Sequence, residues 1–208
     1  MHIDTIVVGS FEVNCYILSG AGQEAMLIDP GSDADEIIRR LEHDGRRVAV
    51  YLLTHGHIDH IYALSEVHRR FPAQVALHAD DNAWAFLEVN QFPPDYPPPR
   101  DSPPTLRLVK DGSSFRDCGI DYTVVATPGH TPGSVCYHFP TENVLFTGDT
   151  LFAGSVGRTD LPGGSPRAMT SSLRRLKGLA PATRIYPGHG PDSTIERERQ
   201  SNFYMRDV

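Results

Sequence analysis

The chain has 208 residues, of which 39% are hydrophobic and 22% charged, the balance of a soluble globular protein with room for a proper core. Its 19 Lys and Arg against 26 Asp and Glu leave a net charge of −7, which argues against a general nucleic-acid binder, since that affinity comes mostly from basic neutralisation of phosphates. The N-terminal stretch MHIDTIVVGSFEVNCYILSG shows no basic segment followed by a long apolar run, and no segment approaches a transmembrane length, so a cytoplasmic protein without a membrane partner is expected.

Residues 3–8, 13–18 and 25–29 read as short strands separated by glycine or polar turns. SDADEIIRRLEHDG then reads as a helix, with Ser32 or Asp33 to cap it, Ile37, Ile38 and Leu41 on its apolar face, and Gly45 to stop it. The continuous apolar run VAVYLLT predicts a strand buried on both faces and leads straight into His55. IYALSEVHRRF resumes a helical period, AQVALH is another strand, and ADDNAWAFLEVN is a further helix. Between Asn90 and Val109, Pro93, Pro94, Pro97, Pro98, Pro99, Pro103 and Pro104 exclude both a helix and a central strand. That segment is a stiff surface connector or a wall beside a pocket, where Phe92 and Tyr96 offer apolar contact. The second half is strand-rich, at about 105–109, 120–127, 134–139 and 143–147. A glycine-rich loop follows, then a helix around 166–178, a strand at 183–186 and a C-terminal helix from about 193. No repeat or linker divides the chain, and the alternation of strands and helices points to an α/β sandwich in one domain, 1–208.

Cys15, Cys118 and Cys136 are few, far apart and set in apolar strand-like contexts. Buried free thiols in a reducing compartment fit them, and the absence of CxxC speaks against a thiolate zinc site.

The chemistry concentrates in THGHIDH, residues 54–60, at the end of VAVYLLT. His55 and His57 are two apart and can point the same way, while Asp59 and His60 carry the loop into the next helix. So many ligand types in one short turn suit two neighbouring ions better than one. Three more candidates sit at strand ends among small residues: His130 in VVATPGHTPGS, Asp149 in NVLFTGDTLF and His189 in TRIYPGHGP. A lone histidine after a strand is usually an ordinary surface or capping residue, and His2, His43, His68, His78 and His138 are read that way.

THGHIDH, TPGHTPGS, FTGDTLF and YPGHG in this order resemble the metallo-β-lactamase superfamily over nearly the whole chain. Through GDTLFAGSVGRTDLPGGS and GHGPDSTIERERQSNFY the chain is most similar to the short, single-domain bacterial-type members of the glyoxalase II (hydroxyacylglutathione hydrolase) group. The resemblance implies an αββα sandwich of two mixed sheets with outer helices and the site along one edge. It implies a first ion held by His55, His57 and His130, a second by Asp59, His60 and His189, and Asp149 bridging them. Two divalent ions are therefore expected, zinc foremost, with iron or manganese also compatible because no thiolate biases the choice. Such a pair, about 3.5–4 Å apart, can deprotonate a bridging water and polarise a carbonyl. Asp59 is placed to orient that hydroxide and is the candidate catalytic residue. A thioester suits the site, since its leaving thiolate needs little protonation.

The sequence also departs from the larger glyoxalase II enzymes. Those carry a C-terminal helical domain that grips glutathione, for which a chain ending at Val208 has no room. Where they use a lysine and a tyrosine against glutathione, Arg158 and Asp160 stand here. Arg158 either holds a substrate carboxylate or ties the glycine-rich loop to backbone carbonyls. An acyl thioester, glutathione-linked or not, is the expected substrate, and the oligomeric state is open. Alternatives are a persulfide dioxygenase, binding one iron through two histidines and an aspartate (His55, His130 and Asp149, with His57 left open), and a non-catalytic metal binder. A β-lactamase is less favoured, because secretion is not indicated and His60 stands where the common zinc-binding cysteine would be. A nuclease would require an additional domain.

Overall fold

The structure, a computed structural model, describes residues 1–99, 105–206 and 208. Its first half gives β1 (His2–Val8), β2 (Val13–Ser19), β3 (Glu24–Ile28), α1 (Ala34–His43), β4 (Arg47–Leu52), α2 (Ile58–Ile61), α3 (Leu64–Arg70), β5 (Gln74–His78), α4 (Ala79–Asn82) and β6 (Leu106–Val109). The six strands form one sheet in chain order, antiparallel from β1 to β3 and parallel from β3 to β6. The second half gives β7 (Ser114–Asp117), β8 (Ile120–Ala126), β9 (Val135–Phe139), β10 (Val144–Gly148), β11 (Leu151–Phe152), β12 (Ser155–Val156), α5 (Pro166–Lys177), β13 (Arg184–Pro187), β14 (Ser193–Thr194), α6 (Ile195–Ser201) and α7 (Phe203–Arg206). Here the sheet order is β14-β13-β10-β9-β8-β7, with β11 and β12 as a separate small ribbon.

The period-two alternation of the strands builds the layers. In β2, Tyr16 and Leu18 face the second sheet, joining Ile28, Leu52, Tyr137 and Phe146 in the central core. Cys15 and Ile17 point the other way, into a cluster with Ile37 and Leu41 of α1 and Leu64 and Val67 of α3. The run in β4 is buried on both faces as expected: Val50 and Leu52 enter the central core, Tyr51 the outer cluster. Behind the second sheet, Cys136, Leu145 and Ile185 pack on Met169, Leu173 and Leu176 of α5, Ile195 of α6 and Met205 of α7. Two mixed sheets face each other with helices outside both.

This topology collects strand ends. β8 and β10 each run antiparallel to β9, and β13 runs parallel to β10, so β8, β10 and β13 share one direction and end on one edge. The first sheet meets that edge after β4. The Val135 amide donates to the Thr54 carbonyl at 2.8 Å, and the Tyr137 hydroxyl to the Leu53 carbonyl at 2.9 Å.

Several expectations need correction. Asp33 occupies the N-cap position of α1 without a side-chain capping bond, in left-handed backbone at φ 51°. Its Oδ2 accepts the Gly9 amide instead, at 2.7 Å, so the carboxylate serves the β1–β2 turn. The helix expected over 79–90 ends at Asn82, and Leu87 and Asn90 continue through three-residue turn bonds to Trp84 and Leu87. The helix expected over 61–71 is divided, α2 ending at Ile61 and α3 beginning at Leu64. Cys118 is half-buried in the β7–β8 turn at φ 53°, not in a strand. Tyr96 is 1% exposed and packs on Phe11 and Tyr62 in the outer cluster, so it belongs to the core and not to a cleft. Of the proline-rich segment, 100–104, including Pro103 and Pro104, lies outside the described residues. No helix among the described residues is long and apolar enough to cross a membrane.

Candidate metal centre and cleft

Four strand ends deliver seven side chains to one place. The turn after β4 brings His55, His57, Asp59 and His60, the turn after β8 His130, the end of β10 Asp149, and the end of β13 His189. His55, His57 and His130 offer donor atoms that lie within 4.8 Å of one another, and so do Asp59, His60 and His189. His57 Nδ1 is 2.8 Å from His130 Nε2, and His60 Nε2 is 3.3 Å from His189 Nε2. Asp149 stands between the triads: Oδ2 is 3.5 Å from both His130 Nε2 and His189 Nε2, and Oδ1 is 3.4 Å from His60 Nε2. All seven residues singled out in the sequence therefore converge.

Four of the five rings are aimed by their other nitrogen. His55 Nδ1 meets the Thr54 hydroxyl at 3.0 Å and His60 Nδ1 meets Asp29 Oδ2 at 3.0 Å. His130 Nδ1 meets the Arg158 carbonyl, and His189 Nδ1 the Phe11 carbonyl, both at 2.8 Å. An outward nitrogen pinned by a carbonyl or carboxylate, with the inward one directed at a shared point, is how imidazoles are prepared for a metal. The inward atoms confirm the fit, for His55 Nε2 and Asp149 Oδ1 are buried without a hydrogen-bond partner. Stranding such atoms in a protein interior is costly, and a divalent cation satisfies both at once. The His/Asp clusters thus suit divalent metal ions.

The triads differ in electrostatics. Burial and the neighbouring His60 push His55 well below the ordinary imidazole value. Burial and His130 bring His57 down to about 3. Burial also works against a charged His60, but Asp149, Asp59 and Asp29 outweigh it and raise it to about 10. His189 is raised likewise, its bond to Asp149 overcoming burial. Burial opposes a charged Asp149, yet His60, His189, His55 and His130 hold it well below the carboxylate range, while burial raises Asp59. His55 and His57 thus keep their lone pairs free. The carboxylate-bearing triad holds protons that a cation would displace.

Two buried acids that the sequence reading did not single out hold these turns. Asp29, at the end of β3, accepts the Thr54 amide at 2.8 Å and the Thr54 hydroxyl at 2.6 Å, besides His60. Asp81, at 0% exposure, accepts the Gly56 amide at 2.8 Å, the Thr131 hydroxyl at 2.7 Å and the Gly133 amide at 2.7 Å, joining the turns of His55 and His130. Burial raises the Asp81 carboxyl, and those three bonds oppose the shift. A signal for Asp29 was present: AMLIDPG repeats the pattern of an apolar run, an acid and a small residue. Gly188 has no room for a side chain, since a β-carbon there would overlap Asp149 Oδ1. Behind the 150–157 hairpin, buried Glu198 of α6 accepts the Gly154 amide at 2.7 Å and the Asn202 side chain at 2.9 Å.

The centre forms the floor of a cleft of about 850 Å³, within the range of small-molecule sites. Phe11, Trp84, Val89, Phe92, Phe152 and Leu161 are among its walls. Phe92 therefore stands in the cleft as expected, while Tyr96 does not. Arg158 also lines it, but its Nε and Nη2 each donate to the Asp160 carboxylate at 2.8 Å, and among the described residues its side chain bonds no backbone carbonyl.

The profile of the metallo-beta-lactamase superfamily matches residues 8–189. Hydroxyacylglutathione hydrolase GloC of Haemophilus influenzae is 32% identical over 208 residues, which span 99% of this chain and 98% of that protein. Among solved structures, BLEG-1 B3 metallo-beta-lactamase superposes with a TM-score of 0.92 at 33% identity, over 98% of this chain and 99% of that one. TTHA1623, solved in a di-iron-bound form, superposes at 0.85 with 35% identity, over 97% of this chain and 99% of that one.

Proposed function

The chain belongs to the metallo-β-lactamase superfamily, and on that premise we propose that it is a metal-dependent hydrolase of acyl thioesters, related to glyoxalase II and working with two divalent ions. The observation that carries the proposal is the pair of triads joined by Asp149, with His55 Nε2 and Asp149 Oδ1 left without any other partner. His55, His57 and His130 would hold the first ion, Asp59, His60 and His189 the second, and Asp149 both. Zinc is the first expectation, with iron or manganese accommodated by the same nitrogen and oxygen donors. When bound, such a pair ionises a water near neutral pH, polarises the acyl carbonyl and offsets charge on the leaving group.

The chain's own residues do the rest. Asp59 Oδ2, 3.6 Å from His60 Nε2 and 3.7 Å from His189 Nε2, would accept a hydrogen bond from the attacking water and orient its lone pair. In the overall reaction the water oxygen bonds to the acyl carbon and the C–S bond breaks with its electron pair going to sulfur, giving a carboxylate and a thiolate; both water protons pass to solvent, one as the water ionises and one from the carboxylic acid. A thiolate departs without prior protonation, so the cleft needs no strong acid beside it. The carbonyls of Arg158 and Phe11 keep His130 and His189 in register.

The similarity to a hydroxyacylglutathione hydrolase supports the thioester. The second triad supports two ions over a mononuclear iron dioxygenase, because Asp59, His60 and His189 bring donor atoms together beside the first three. Elemental analysis of protein purified with ample metal should find about two ions per chain, alongside turnover of acyl thioesters. A stoichiometry held near one, with oxygen uptake on persulfides, would reject the reading.

A further inference from the structure

An acyl carbonyl placed on the floor of the cleft has aromatic surface on both sides. Trp84 flanks the first triad, its ring 5.4 Å from that of His57. Phe152 flanks the second, 6.0 Å from His189. Phe11, whose carbonyl holds His189, meets Phe92 edge-on at 5.0 Å. At the rim, Val89 is 73% and Phe92 49% exposed. Large apolar side chains left open to water around a concave site are surface for a ligand to cover.

Charge points the same way. Among the described residues that line the cleft, Arg158 is the one with a guanidinium or ammonium group, and Asp160 engages it through two bonds. The pair presents no net charge to a ligand. A tripeptide carrier such as glutathione brings two carboxylates, which lose water against these walls and, among the described residues lining them, find no free guanidinium or ammonium group in return.

We propose that the cleft selects thioesters whose acyl group is an uncharged, medium-length aliphatic or aromatic chain, lying against Trp84, Phe92 and Val89. This deepens, and rests on, the thioester-hydrolase reading.

The test uses the metal-loaded full chain and two series. The first is N-acetylcysteamine thioesters with acetyl, butyryl, hexanoyl, octanoyl and phenylacetyl groups, a neutral carrier that varies only the acyl part. Expected is a rise in kcat/KM of about two- to fourfold per methylene until the cleft is filled, the increment of a partly to fully buried CH₂. The second series, S-alkyl-N-acetylcysteamine thioethers, cannot be hydrolysed and reports binding alone. Trp84 is the single tryptophan of the chain, so its emission reads out this wall directly. Kd should fall by the same factor per methylene, and Phe92→Asp should flatten both slopes. Flat slopes in both series, with the acetyl thioester turned over, overturn the apolar preference and leave the hydrolase reading intact. If no thioester is hydrolysed while two metals are bound, the hydrolase reading fails and the proposal with it, whatever the thioethers show.

Discussion

The floor of the cleft and its walls are built in opposite ways. Every imidazole of the floor has its outer nitrogen fixed or its ring held against a neighbour, and Asp29 and Asp81 staple the turns together from below. The wall from Trp84 to Phe92 is held by backbone turns and by the buried Asn90 side chain, and it shows apolar side chains to water. A floor that must hold ions in one geometry needs rigid, fully satisfied donors. A wall that only has to accept an acyl group needs area and neutrality. Floor substitutions should therefore act on metal content and turnover, and wall substitutions on KM and substrate choice.

The sharpest way to break this distinction is Asp149→Ala. The carboxylate faces both triads, so its loss should remove both ions and reduce turnover by more than the about 10–100-fold typical of losing an outer partner of a ligand. The effect should exceed that of any single histidine change at the edge of the site. Elemental analysis beside steady-state rates checks it, and a variant keeping two ions and most of its activity would falsify the bridging assignment. Gly188→Ala should mimic it more weakly by crowding Asp149 Oδ1.

Asp81→Ala comes next. It leaves the Gly56 and Gly133 amides buried without an acceptor, at about 1–3 kcal/mol each. Denaturant midpoints should drop accordingly, and metal affinity should fall because the turns of His55 and His130 lose their common tie. Unchanged metal affinity in a destabilised variant would show that Asp81 supports the fold but not the site.

The seven floor residues were legible because His55, His57, Asp59 and His60 crowd one short turn, while His130, Asp149 and His189 each follow an apolar run and a small residue. Most strands were legible through their apolar runs, but the short β7, β11, β12 and β14 were not read, and 193–194, read as the start of the last helix, is strand β14. Asp81 was not, since its three partners lie 25, 50 and 52 positions away and only the folded chain brings them together. The 84–92 segment misled in a different manner. Residues 79–90 were read as one helix, whereas the helix ends at Asn82, and Trp84 and Val89 line the cleft beside Phe92, which was read as a contact there. Binary patterning reports which residues avoid water, not whether a core or a ligand covers them. Tyr96 was assigned to the cleft on the same evidence and lies in the core, where Gly9, lacking a β-carbon, leaves space for its hydroxyl.

The difference between Phe92 and Tyr96 can be sharpened directly. Phe92→Ala should raise KM for apolar acyl thioesters several-fold while leaving the unfolding midpoint nearly unchanged, since half of the side chain is exposed already. Tyr96→Ala should do the reverse, lowering stability by about 3–5 kcal/mol as other large-to-small aromatic core changes do, with little change in KM. Equal KM effects from both would return Tyr96 to the cleft.

The smallest expected effect lies at Asp160. Its carboxylate occupies the Arg158 guanidinium through Nε and Nη2, but both side chains are well exposed, at 58% and 68%. Water and salt screen such a pair, so breaking it should leave stability unmoved. Asp160→Asn keeps the shape and removes the charge, freeing Arg158 for a substrate carboxylate. KM for lactoylglutathione should then fall by about two- to fivefold, the reach of one exposed ion pair. Turnover should stay level, because the contact is made equally in ground and transition states. Neutral N-acetylcysteamine thioesters should show no change, and raised ionic strength should erase the gain. An unaltered KM for lactoylglutathione would mean that Arg158 does not reach the carrier, leaving its carbonyl, which positions His130, as its contribution to the site.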